Sequence, residues 1–250
     1  IGRAGIGVDN IDVPAATARG IAVVNAPRSS TYSVAELAIG HMISLARGLS
    51  KGDRALREGR WLKKELLGVE LYGKTLGFIG AGRIGAEVAK RAQAFGMRTI
   101  AYDPYLPPEV AKEHKIELTD LESVLESSDF ITIHALLTPE TRGMVDARAL
   151  GMMKPSAYII NCARGGIIDE TALFKALRDG RIAGAALDVF ENEPPTESPL
   201  LTLDNAVLSP HIGASTREAQ ERAGVMVAED VLRALRGEKP SALVNPEVWK

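Results

Sequence analysis

From Lys74 to Pro210 the chain repeats one pattern: a short apolar run, a glycine or polar break, then a stretch with helical spacing. "TLGFIG" leads into "RIGAEVAKRAQAFG", and "RTIAYD", "FITIHA", "AYIINCA", "IAGAALDV" and "NAVLSP" follow, most of them separated by helical patterns. A strand covered on both faces reads as a continuous apolar run, and strands that alternate with helices pair in parallel. The pattern therefore predicts an α/β fold built on a doubly wound parallel sheet.

What ends each run is equally informative. Gly80-Ala81-Gly82, Asp103, His134, Arg164, Asp188 and His211 stand in that order after six successive strands. In an open parallel sheet, ligands bind outside the carboxyl ends of the strands. Six ends in succession carrying glycine or a polar group, on apolar strand bodies, mark a ligand crevice.

Gly80, Gly82 and Gly85 form G-x-G-x-x-G between a strand and a helix, the context in which the motif binds a dinucleotide. Gly80 permits the tight turn, Gly82 lets a pyrophosphate approach the backbone, and Gly85 lets helix and strand pack closely. The helix N-terminus adds N–H donors and a favourable dipole. Asp103 follows about 20 residues on, where a carboxylate takes ribose hydroxyls and repels a 2′-phosphate. The cofactor expected is therefore NAD rather than NADP.

Hydride transfer to a ketone also needs a proton source and a group that orients the substrate. There are four histidines. His41 falls inside a helical pattern and reads as packing, and His114 sits in a charged, solvated helix. His134 ends a strand and lines the cofactor crevice. His211, after Pro210 at the end of the last strand, is the acid–base candidate. A carboxylate behind it would fix its tautomer, and "DVFENEPP" offers Glu191 and Glu193 without a choice between them. Arg164 ends an apolar strand, where a guanidinium needs an anionic partner; its planar fork suits a substrate carboxylate, and Gly165 and Gly166 leave room beside it.

The bulk numbers fit this reading. At 250 residues there is room for one large or two modest domains, and a net charge of −2 offers no nucleic-acid or membrane surface. No apolar run approaches the roughly 20 residues of a membrane span. Cys162 is the single cysteine, so no intramolecular disulfide can form and a reducing, cytoplasmic setting is expected. The reading calls for no metal.

Outside the sheet, Asp12 should cap a short helix with Pro14 in its first turn, ended by Gly20, with a strand over Ile21–Val24. "SVAELAIGHMISLARGL" predicts a helix with a wide apolar face, and the polar segment after it, containing Trp61, reads as an arm that packs on another subunit. A long amphipathic helix is expected over "TREAQERAGVMVAEDVLRALRG". The chain opens without methionine on what looks like the end of a structural unit, so an upstream segment is expected.

Taken together, "RAGIGVDNID", "GFIGAGRIG", "NCARGGIIDE", "GAALDVFENEPP" and "SPHIGAST" resemble the D-isomer-specific 2-hydroxyacid dehydrogenases over essentially the whole chain. The resemblance implies a Rossmann NAD-binding domain over residues 28–213. Residues 1–27 and 214–250 would be remnants of a second, smaller α/β substrate domain. It implies Arg164 as the substrate-binding arginine, Glu193 rather than Glu191 as the catalytic glutamate, and His211 as the acid–base. Arg83 and Ile84 would lie beside the pyrophosphate and Asp103 on the ribose, with Asp188 on the nicotinamide carboxamide. Further cofactor contacts would come from His134, Ala135, Cys162, Ala163, Gly213 and Ala214. Ile6 would also stand near the cofactor, where relatives often carry threonine.

The reaction implied is NAD-dependent oxidation of a small D-2-hydroxy acid, 3-phosphoglycerate first, at the entry to serine synthesis. A glyoxylate or hydroxypyruvate reductase is the second reading within the enzymes. An NAD-sensing binding protein resembling the C-terminal-binding corepressors is the reading from another class. A homodimer or higher homo-oligomer is expected.

Overall fold

A computed structural model describes residues 1–249 of the chain. The helices are α1 (Val13–Ala18), α2 (Thr31–Arg47), α3 (Leu49–Arg57), α4 (Arg83–Ala94), α5 (Pro108–Glu113), α6 (Leu121–Ser127), α7 (Ala147–Met152), α8 (Glu170–Arg178) and α9 (Arg217–Leu235). The strands are β1 (Thr75–Ile79), β2 (Arg98–Tyr102), β3 (Glu117–Leu118), β4 (Phe130–Ile133), β5 (Tyr158–Asn161), β6 (Gly184–Leu187) and β7 (Ala206–Leu208). Two compact units result: Ile1–Val34 with Ile212–Lys250, and Ala35–His211.

The larger unit holds a seven-stranded sheet in the order β3-β2-β1-β4-β5-β6-β7, with every pair parallel. The chain winds outward from β1 to β3, then returns to place β4 on the other side of β1. That reversal makes the carboxyl ends of β1 and β4 the switch point at which a ligand crevice forms. The apolar runs are continuous because these strands are covered on both faces: β4 and β6 are buried at all four positions. Ile131, Ile133, Ile159, Ile167, Leu150, Leu173 and Leu187 join one core cluster. Full burial of each such side chain stabilises by about 1.5–3 kcal/mol.

Helix starts follow the local chemistry. Asp120, Asp146 and Asp169 cap α6, α7 and α8, each carboxylate accepting from the N–H three residues on. α4 starts differently: Gly82 stands at its N-cap with no side-chain cap, as Gly48 does at α3 and Pro107 at α5.

In the smaller unit, Asp12 caps α1 by accepting from the Ala15 N–H at 2.8 Å, and Gly20 follows with φ +66°. The strand expected over Ile21–Val24 does not form. Only Val24 pairs, through single bridges to Gly2 on one side and Leu243 on the other. A ladder needs a partner that continues alongside, and neither neighbour does. The Asn245 side chain takes over part of that work, accepting from the Val23 N–H and donating to the Ile21 carbonyl. Thr216 caps α9, its hydroxyl oxygen accepting from the Ala219 N–H.

Candidate active site

The β1–α4 turn is shaped by what it must pass. Gly80 has φ +82°, and a Cβ there would lie 2.7 Å from the backbone nitrogen of Ala135. Any larger residue would push β1 away from the end of β4. Gly82 is the opposite case, because a Cβ there would meet nothing within 4 Å. Beside this open space Arg83, Ile84 and Gly85 begin α4, uncapped by any side chain. Such a terminus is ready-made for a pyrophosphate.

Asp103 is held against the same turn. The Ala81 N–H donates to its Oδ2 at 2.8 Å and the Tyr105 N–H to its Oδ1 at 3.0 Å. Each carboxylate oxygen keeps acceptor capacity for ribose hydroxyls. His134, one residue past β4, bonds Thr132 Oγ1 through Nε2 at 2.9 Å, while its buried Nδ1 has no partner among the described residues. Burial pushes its pKa down to about 3, so the ring is neutral. An open glycine cradle, an uncapped helix, an acceptor at the ribose position and an orphaned ring nitrogen together fit NAD.

Arg164 follows β5 in a turn that Asn161 holds from both sides. The Asn161 amide donates to the Arg164 carbonyl at 2.9 Å, and its Oδ1 accepts from the Ala163 N–H at 3.0 Å. The guanidinium donates to the Ala163 carbonyl at 2.8 Å and is half-buried. Gly165 sets what comes next: a Cβ there would fall 1.9 Å from the Phe190 carbonyl oxygen. The Arg164 turn and the loop after β6 are thus in direct contact.

That loop carries Glu193. Its Oε1 accepts from the Phe190 N–H at 3.1 Å, and its Oε2 lies 2.7 Å from His211 Nδ1. Glu191 makes no such contact with histidine; its N–H donates to Glu170 instead. Of the two glutamates that the residues alone left open, Glu193 is the one in contact with a histidine. His211 has φ +52°, a left-handed conformation uncommon for a non-glycine residue, and its side chain is 49% exposed. The pairing leaves the imidazole oriented by a carboxylate and accessible to a substrate.

Asp188, just past β6, is 1% exposed and accepts from Ser209 Oγ at 2.6 Å. Cys162 is buried nearby, and burial together with the Asp188 charge pushes its thiol pKa up. Ala135 and Ala163 each lie two residues past the ends of β4 and β5. Ile6, Gly213 and Ala214 belong to the smaller unit, where the Ile6 carbonyl accepts from the Asn25 amide at 2.7 Å.

Sequence reasoning missed two supports. Glu170 opens α8 and accepts from the Glu191 N–H at 2.5 Å, and burial with the charges of Glu191 and Glu193 raises its pKa. His41 does more than pack, since it bonds Ser209 at 2.9 Å. His41 lies outside the motifs and Glu170 only closes "NCARGGIIDE"; each lies more than 20 positions from its partner. Among the described residues no helix is long and apolar enough to cross a membrane.

Residues 39–213 match the family described as D-isomer specific 2-hydroxyacid dehydrogenase, NAD binding domain. A D-3-phosphoglycerate dehydrogenase from Methanocaldococcus jannaschii is 56% identical over 246 residues, 98% of this chain and 47% of that protein. One from Archaeoglobus fulgidus is 51% identical over 95% of this chain and 45% of its own length. The chain thus spans about half the length of the curated relatives it matches. Among solved structures, a D-lactate dehydrogenase from Aquifex aeolicus in complex with NAD and lactic acid superposes with a TM-score of 0.89. It is 32% identical, and the match covers 98% of this chain and 79% of that one. With an NAD-type turn on β1 and a histidine–glutamate pair beyond β6 and β7, the chain belongs to the D-isomer specific 2-hydroxyacid dehydrogenases.

Proposed function

We propose that the chain catalyses NAD-dependent oxidation of D-3-phosphoglycerate to 3-phosphohydroxypyruvate, the first step of serine synthesis. The observation that carries this reading is the 2.7 Å pair between Glu193 and His211, on a loop packed against the Arg164 turn. The high identity to D-3-phosphoglycerate dehydrogenases supports the choice of substrate.

Bound NAD supplies the hydride acceptor. The protein's own part is to hold the substrate and take its proton. Arg164 offers a planar, always-charged fork to the substrate carboxylate, and its field polarises the neighbouring C2–O bond. His211 Nε2 receives the hydroxyl proton as C2 becomes a carbonyl. Glu193 holds Nδ1–H, which keeps Nε2 as the free base and stabilises the imidazolium that forms. Asp103 takes the adenosine ribose, the α4 terminus with Arg83 and Ile84 takes the pyrophosphate, and Asp188 takes the nicotinamide carboxamide. Residues 1–27 and 214–250 contribute the remaining part of a substrate domain.

Two further expectations belong to this reading. The arm after α2 pairs two copies into a homodimer, and a lone buried cysteine suits a reducing cytoplasm.

The test is NADH formation with 3-phosphoglycerate, run beside D-glycerate and glycolate. A clear preference for the phosphorylated acid, lost in Arg164→Ala, supports the assignment. Preference for the small acids would shift it to a glyoxylate or hydroxypyruvate reductase. NADH binding without turnover on any of them would favour a coenzyme-sensing binding protein.

A further inference from the structure

α2 buries one titratable side chain, His41, among Ala38, Met42 and other apolar neighbours. A buried imidazole is unfavourable there unless its polar atoms find partners. Its Nε2 lies 2.9 Å from Ser209 Oγ, and Ser209 Oγ lies 2.6 Å from Asp188 Oδ1. All three residues are buried, and all belong to the larger unit.

Proton counting gives this chain a direction. A serine hydroxyl has one proton, and an ionised carboxylate can only accept. The Ser209 proton therefore goes to Asp188, and the serine oxygen must accept from His41. This requires a proton on Nε2, which the Nε2–H tautomer of a neutral ring supplies. Burial favours that form by lowering the His41 pKa, against a smaller opposing pull from the Asp188 charge. The result is a one-way series, His41 to Ser209 to Asp188, with its acceptor end at the carboxyl edge of β6.

We propose that His41 is a positioning residue for the coenzyme: acting through Ser209, it fixes the Asp188 carboxylate in the orientation that receives the nicotinamide carboxamide. The proposal rests on the reading that Asp188 receives that carboxamide. Without the histidine donor, the serine hydroxyl has other staggered positions open to it, and the short charge-assisted bond that orients Asp188 is no longer enforced.

The experiment compares two ligands that differ at the nicotinamide. NADH carries it, and ADP-ribose keeps the adenosine, pyrophosphate and second ribose without it. Binding of both is measured by fluorescence and calorimetry in the wild type and in His41→Leu, His41→Gln, Ser209→Ala and Asp188→Ala, with Tm recorded for each. His41→Leu and Ser209→Ala should each weaken NADH binding about 10-fold, as for a lost bond to a charged group, and leave ADP-ribose within about 2-fold. The double variant should be no worse than either single one. His41→Gln, whose amide can donate to Ser209, should recover most of the NADH affinity.

In the ligand-free protein, a slowly exchanging His41 Nε2–H proton signal should be present and should vanish in Ser209→Ala. Equal losses for NADH and ADP-ribose would show a structural role only and overturn the proposal. A response from Asp188→Ala with none from His41→Leu would overturn it as well. Silence of Asp188→Ala itself would instead remove the carboxamide reading on which the proposal stands.

Discussion

His211 and Glu193 show how one side chain makes another useful. An imidazole with a free tautomer offers a substrate either nitrogen; the 2.7 Å contact to Glu193 commits Nδ1 and leaves Nε2. Replacing His211 by Gln removes the base and should lower kcat by about 10²- to 10⁴-fold with little change in NADH affinity. An unchanged turnover would rule the residue out as acid–base. Glu193→Gln keeps the size but removes the charge behind the imidazolium, so a smaller loss in kcat is expected. His134 makes a different prediction, about stability. Its pKa is held at about 3 by burial, whereas the unfolded ring titrates near 6.5. Between those values the unfolded state binds the extra proton, so stability falls as pH drops below about 6.5. From pH 7 to pH 5 this one ring should remove about 2 kcal/mol. Denaturant melts of the wild type and His134→Asn should show the variant losing less over that interval; parallel losses would refute the assignment.

At the scale of the element, the β1–α4 turn separates folding from binding at two neighbouring glycines. Gly80→Ala puts a Cβ at φ +82° and into the Ala135 backbone at 2.7 Å, so it should destabilise by about 1–3 kcal/mol or more. Gly82→Val points into open space, so Tm should hardly move while NADH binding weakens severely. Thermal melts and NADH titration on the two variants check the contrast, and a reversed pattern would show that the open space is not the pyrophosphate site. The turn was legible in the sequence because its chemistry is local: strand, three glycines and helix lie within about a dozen residues. The Asp12 helix cap was legible for the same reason. Ile21–Val24 was misread because apolar content reports burial but not whether a partner continues alongside, and here pairing stops at Val24. The bond from His41 to Ser209 spans 168 positions, so no periodicity or motif could announce it, and helical spacing alone made His41 look like filler. The residues alone could not tell Glu193 from Glu191 and the resemblance pointed to Glu193; the loop aims that carboxylate at His211 and turns the other's backbone toward Glu170.

The arm after α2 bears on the whole molecule. Trp61 is 76% exposed, Leu67 95% and Tyr72 77%, with Leu56 also exposed, all within one stretch of the chain. Single apolar residues on a surface need no explanation, but several large ones in sequence, aromatics among them, are the composition of an interface centre. A stable contact needs about 800 Å² from each partner, and a segment of this length bearing Trp, Leu and Tyr anchors can supply much of it. Several cations near it already have partners: Arg60 pairs with Glu58, and Arg54 and Lys51 pair with Asp204. If two copies join through this arm, sedimentation at micromolar concentration should give a dimer. Trp61→Glu would then bury a charge without a partner, and such a change at an interface anchor commonly weakens association by 2 kcal/mol or more. That shift raises the dissociation constant about 30-fold or more and should bring monomer into view on dilution. NADH should still bind the monomer, because the glycine turn, Asp103 and Asp188 all lie on the sheet unit of a single chain. A wild type that sediments as a monomer would reject the dimer, and a Trp61→Glu dimer of undiminished affinity would place the contact on another face.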